Sequence, residues 1–155
     1  MLPIRAVQAI FAIIVLGLLA YASDEWFWYW TSPSQINFLI FTSVWTLLAV
    51  AYLVITPGRF PTIAHKFGIL AAEVLTMLFW FAGFIALAVL LTDVGCNSRW
   101  GVCSASVAGV VFAAFEWLLF SATTIMAALH VWRTRGSHSS SHDPNMEVRT
   151  PYEGA

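Results

Sequence analysis

The chain has 155 residues, 60% hydrophobic and only 10% charged, with a mean hydropathy of +0.81 and a net charge of −1. Ordinary soluble domains carry about 25% charged residues, so this chain lacks the polar surface to cover itself in water. No basic field exists for nucleic acid, and the composition is that of an integral membrane protein.

A spanning helix needs roughly 20 mostly apolar residues, because the hydrocarbon core is about 30 Å thick and each residue rises 1.5 Å. Four runs qualify: Ile4 to Tyr21, Ile36 to Thr56, Phe67 to Thr92, and Ser104 to Trp132. They are continuous rather than alternating, which excludes the strands of a membrane barrel. Lipid offers the backbone no hydrogen-bond partner, so each run must pair its own N–H and C=O groups as a helix. The predicted fold is all-α, an integral membrane four-helix bundle over 1–132 with a tail over 133–155. Arg5, Arg59, Lys66, Arg133, Arg135 and Arg149 fall on one side of these spans, and Arg99 alone on the other. The positive-inside rule then puts both termini in the cytoplasm.

The first run has a second reading. Arg5, the apolar stretch and Ala20-Tyr21-Ala22 resemble a signal peptide with a small-residue cleavage site. The minimal charged region and the long apolar run favour a retained helix. The first outer loop, Ser23 to Gln35, contains the aromatic run Trp26-Phe27-Trp28-Tyr29-Trp30. Trp26, Trp28 and Trp30 suit an interfacial belt, where indole rings sit at headgroup depth. A contact surface for sterol or another protein is the alternative.

In the second run, Thr42, Thr46, Ala49 and Leu53 share one face at helical spacing. Pro57-Gly58 is expected to stop that helix. The short inner loop, Pro57 to Lys66, makes helices two and three antiparallel neighbours. The outer loop before helix four holds both cysteines, Cys96 and Cys103, on the predicted non-cytoplasmic face, where oxidation is permitted. A disulfide is expected there, stabilising by about 2.5 kcal/mol in the chain-entropy model. Two unpaired thiols are the alternative, which an unchanged count of alkylatable thiols with and without reductant would establish.

The tail is Ser-rich and contains Pro, too polar to bury a core, and is expected to be disordered. His138 and His142 fit a solvated tail better than a metal site. Ser137, Ser139, Ser140, Ser141 and Thr150 are candidate phosphorylation sites, which would oppose binding to anionic lipid.

Two carboxylates lie inside the spans, and ionisable groups there are functional candidates by default. Glu73 is about 10 Å into its helix, counting from Lys66, and Glu116 is close to mid-membrane. That difference in depth argues against a carboxylate dyad. Stepping from Glu116 by three or four gives Ala105, Gly109, Ala113, Phe120 and Thr123. Ala105, Gly109 and Ala113 form the small-residue stripe that lets membrane helices approach closely; Gly83 suits the same purpose on helix three. Thr46 and Trp80 lie at the depth of Glu116, so their O–H and N–H are expected to donate to it. With no Lys or Arg in reach, Glu116 is expected to be neutral or held by such donors. For both carboxylates a packing bond between helices is the ordinary reading, and a proton or ligand site the functional one. No spacing for a nucleophile, acid–base pair or metal appears on a common surface, so no catalytic, cofactor or metal residues are assigned.

Leu78-Phe-Trp-Phe-Ala-Gly-Phe-Ile-Ala-Leu-Ala88 with Glu73 upstream, the pair Cys96 and Cys103, and Phe115-Glu116-Trp117-Leu118-Leu119-Phe120 together resemble the MARVEL domain. The likeness is to its short fungal members and covers roughly Leu2 to Trp132. It implies a non-enzymatic tetraspan protein of membrane apposition, vesicle trafficking or microdomain organisation, in the plasma membrane or endomembrane vesicles. The partners it implies are membrane lipids, sterol or sphingolipid among them, and other membrane proteins or further copies of itself. The first outer loop lacks the cysteine pair of claudins, and the second lacks the Cys-Cys-Gly motif of tetraspanins. A small transporter or channel component using Glu73 and Glu116 is the competing reading, though neither broken helices nor repeated halves are visible.

Overall fold

Each apolar run winds into one helix, and every helix runs further than its apolar core. The computed structural model describes residues 2–27, 33–59, 66–96 and 101–137. They form α1 (Leu2–Phe27), α2 (Ser34–Arg59), α3 (Lys66–Asp93) and α4 (Gly101–Ser137). All four contain spans long and apolar enough to cross a membrane. The extra residues include Asp24, Glu25, Arg59, Lys66, Asp93, Arg133 and Arg135, and lipid sets the length of the apolar core rather than of the helix.

These extensions correct three expectations. α1 continues through Asp24 and Glu25 to Phe27, so the start of the expected outer loop is helical. α2 ends at Arg59, one residue past Pro57-Gly58. α4 takes in residues 133–137, where the tail was expected to begin. There the Thr134 hydroxyl donates to the carbonyls of His130 and Val131, 3.0 Å each, and the Arg135 guanidinium sits 5.1 Å over the Phe67 ring. Cations in a last helical turn also suit the helix dipole. Trp26 falls in the last turn of α1, whereas Trp28, Trp30, His138, His142 and the remaining tail lie outside the described residues.

The buried positions recur in steps of three and four. On α1 they are Gln8, Ala12, Val15, Leu19 and Ala22; on α3, Glu73, Thr76, Trp80, Gly83 and Leu87. That average of 3.5 is the seam of an antiparallel helix bundle. Each helix packs on its chain neighbours and α4 closes on α1; among the described residues the diagonal pairs make no close backbone approach. Large apolar side chains such as Ile13, Phe41, Leu48, Val89 and Leu118 point outward and stay exposed, as a lipid-facing surface requires.

Glycines set two of the closest approaches. A Cβ on Gly83 would stand 2.3 Å from Leu39 Cδ2, and one on Gly109 would stand 2.9 Å from Leu19 Cδ2. Gly83 therefore seats α2 against α3, and Gly109 seats α1 against α4. Ala113 is fully buried on the Gly109 stripe, but Ala105 is only half-buried. Ser106 takes the next inward place instead. Aromatic rings close the outer seams: Phe79 against Phe38, Phe41 and Trp45 between α2 and α3, and Trp117 against Phe81 and Phe84 between α3 and α4.

α3 ends in a Schellman cap. Gly95 adopts φ 61°, where a side chain is strained, and the N–H groups of Gly95 and Cys96 donate to the carbonyls of Thr92 and Leu91 at 3.2 and 3.0 Å. The cap turns Cys96 back towards the first turn of α4, where it forms a disulfide with Cys103 at a Cα–Cα distance of 5.6 Å.

Candidate functional site

An ion-paired polar network lies at the end of the bundle where α1 and α3 begin and α4 ends. An Arg5 Nη2 N–H donates to Glu73 Oε1 in an ion pair between diagonally opposed helices. The Arg5 side chain is 12% exposed and that of Glu73 is fully buried. The second guanidinium arm donates to Gln8 Oε1 at 3.0 Å. The other carboxylate oxygen, Glu73 Oε2, accepts the Thr123 hydroxyl at 2.8 Å. One acid thus ties α1, α3 and α4 together. The bilayer interior makes each unpaired charge costly, so a neutralised, hydrogen-bonded arrangement is what the site demands.

A second polar layer joins α2 to α3 by two indoles that cross in opposite directions. Trp45 on α2 donates to Thr76 on α3 at 3.1 Å, and Trp80 on α3 donates to Thr46 on α2 at 3.0 Å. Each threonine hydroxyl passes its own proton to a carbonyl one turn back, Thr76 to Ala72 and Thr46 to Thr42, both at 2.7 Å. Hydroxyls inside lipid commonly find this partner. The expectation that Thr46 and Trp80 donate to Glu116 is therefore corrected: they share its depth but bond each other.

Glu116 stands apart. The Ala12 backbone on α1 faces it, and among the described residues neither carboxyl oxygen has a hydrogen-bond partner of ordinary geometry. The side chain is wholly shielded, between Ala113 and Phe120 on its own helix. Gln8 Nε2, Ser106 Oγ and Thr124 Oγ1 are likewise buried without partners among the described residues. The structure thus separates Glu73, which is fully engaged, from Glu116, which is not.

Beside the ion pair lies a cavity of about 660 Å³ whose lining includes Leu2, Arg5, Thr123, Met126, His130 and Arg133. Among the described residues no three His, Cys, Asp or Glu side chains converge as metal ligands. Sequence reasoning uses Arg5 as an orientation signal and as the charged start of the signal-peptide reading, and passes over Gln8, Trp45 and Thr76. The usable signal for Arg5 was that a buried acid requires a donor, and Arg5 shares an α1 face with Gln8, Ala12 and Val15.

The model of one protein family, described as a membrane-associating domain and named MARVEL, matches residues 1–126. The chain belongs to the MARVEL family. Comparison with curated proteins gives no match, and neither does comparison with solved structures. Family and helices together make it an integral, multi-pass tetraspan membrane protein.

Proposed function

We propose that this MARVEL protein organises membrane microdomains or vesicle traffic without catalysing a reaction, with both termini in the cytoplasm. The observation that carries this reading is how its intramembrane polar groups are used. Arg5 and Thr123 both bond Glu73, joining three helices, and Trp45 with Thr76 and Trp80 with Thr46 join two. Such groups lock a scaffold, leaving the apolar outer face to choose lipids and neighbouring proteins. The test is deletion together with imaging of a tagged chain in its native cell. Patches or vesicles whose composition changes on deletion support the role, whereas a uniform distribution with unchanged neighbours removes it. Protease that clips the C-terminal tail from outside intact cells would overturn the orientation.

One observation favours a second reading, in which the chain is a small transporter or channel component. Glu116 is a buried carboxyl that the packing of the described residues leaves unpartnered. Glu73 contributes less to this reading, because Arg5 and Thr123 occupy it. Glu116→Gln keeps shape and hydrogen-bonding capacity, so unaltered flux in reconstituted vesicles would dispose of this alternative.

A further inference from the structure

The cavity beside the ion pair has a chemistry that scaffolding does not use. Arg5 and Thr123 line it, and both belong to the network that neutralises Glu73. His130 and Arg133 line it too; both are exposed, in the last turns of the fourth span, Gly101–Arg135. From Thr123 to Arg133, α4 rises about 15 Å, enough to reach from hydrocarbon to headgroup depth. The walls between include Val54, Met126 and Leu129, each also exposed on the lipid-facing surface. Among the described residues no carboxylate lines the cavity.

The geometry points to an anionic glycerophospholipid, its phosphate held by Arg133 and His130 and one acyl chain laid along Val54, Met126 and Leu129. A guanidinium fork matches phosphate oxygens, and a ring N–H of His130 adds a donor. Basic pockets between membrane helices take anionic headgroups in this way. A volume of about 660 Å³ falls within the range of ordinary ligand sites. Nearby Arg135 is occupied over Phe67 and does not line the cavity, which makes it a charge control. This inference requires only that the chain span a bilayer, so it fails or stands separately from a role in microdomains.

The experiment is native mass spectrometry of the full chain in neutral detergent, titrated with dioleoylphosphatidylglycerol, dioleoylphosphatidylcholine or inorganic phosphate. The expected result is half-occupancy by phosphatidylglycerol at about five-fold lower concentration than by phosphatidylcholine, the factor that one basic residue supplies at a membrane surface. Inorganic phosphate alone should leave no adduct. Arg133→Gln should abolish most of the preference while helix content and melting temperature hold, and His130→Gln should reduce it. Arg135→Gln should leave it intact. Equal occupancy by the two lipids, an equal loss in Arg135→Gln, or adducts of free phosphate would each overturn the assignment. So would lipid adducts that form only after the chain is cut behind Ser137, since the tail would then be the occupant.

Discussion

Glu73 and Glu116 are both fully buried, on adjoining helices of one bundle, yet among the described residues Glu73 has a cation and a hydroxyl while Glu116 has neither. Direction and depth account for the contrast. Side chains tilt towards the N-terminus of their own helix. Arg5 and Glu73 sit near the starts of α1 and α3, which run the same way, so both project towards one interface. Arg5 can lay its aliphatic stem against apolar neighbours while its head reaches the carboxylate. Glu116 is on α4, which runs the opposite way, and it projects away from that end. A buried acid near an interface can recruit a snorkelling cation; one at mid-depth must rely on neutral donors, and here those donors bond each other.

The contrast breaks most visibly at Glu73. Glu73→Ala leaves the Arg5 guanidinium without a counter-charge, and arginine cannot shed its proton. Removing one partner of a buried pair costs about 3–5 kcal/mol, and the slight exposure of Arg5 places the expected loss near 3. Unfolding in mixed micelles of graded dodecyl sulfate content measures it. A loss under about 1 kcal/mol would mean that the pair does not hold the bundle. Glu116→Leu should act in the opposite sense. It removes two unpartnered oxygens and leaves a branched apolar side chain one heavy atom smaller, so a gain of about 1–3 kcal/mol is expected in the same assay. A loss of that size would reveal a partner for the carboxyl.

How much of this was legible follows from what sequence encodes. Hydropathy placed the four spans, because lipid imposes a length on apolar runs that water does not. It missed Asp24, Glu25 and residues 133–137, because a helix persists in the headgroup layer without apolar residues. Gly83 and Gly109 were readable as close approaches, and each does face a leucine from the next helix. Ala105 was preferred to Ser106 because steps of three and four from Gly109 are equally good on a lone helix; only the seam between α1 and α4 selects the step of three. Helical rise put Thr46 and Trp80 at one level, and they meet there. Rise does not give azimuth, so it could not say that Glu116 faces Ala12 instead. Arg5 and Glu73 are 68 residues apart and on diagonal helices, a pairing that no local pattern records.

A smaller effect sharpens the engaged side of the comparison. Thr123→Val keeps the side-chain shape and removes the hydroxyl that donates to Glu73 at 2.8 Å. A hydrogen bond to a charged group contributes about 1.5–3 kcal/mol, and Arg5 still partners the acid, so a loss near 1.5 is expected. In the Glu73→Ala background the same change should be almost silent, since the carboxylate is gone and only the Phe120 carbonyl of its own helix remains, at 3.1 Å.

The smallest expected effect tests the isolation of Glu116 directly. Trp80→Phe deletes the indole N–H that meets Thr46, and Glu116→Gln alters the nearby acid without changing its size. Residues that share no partner add within about 0.5 kcal/mol, whereas members of one network couple by more. The double mutant should therefore equal the sum of the single mutants, each read by the same micelle unfolding. Coupling above about 1 kcal/mol would mean that the indole and the carboxyl interact after all, as their shared depth had suggested. Additivity here, beside strong coupling between Thr123 and Glu73, would establish that Glu73 belongs to an integrated polar network and that Glu116 stands outside the Trp80–Thr46 bond. Those two outcomes cannot both arise from burial alone, because the two acids are equally buried.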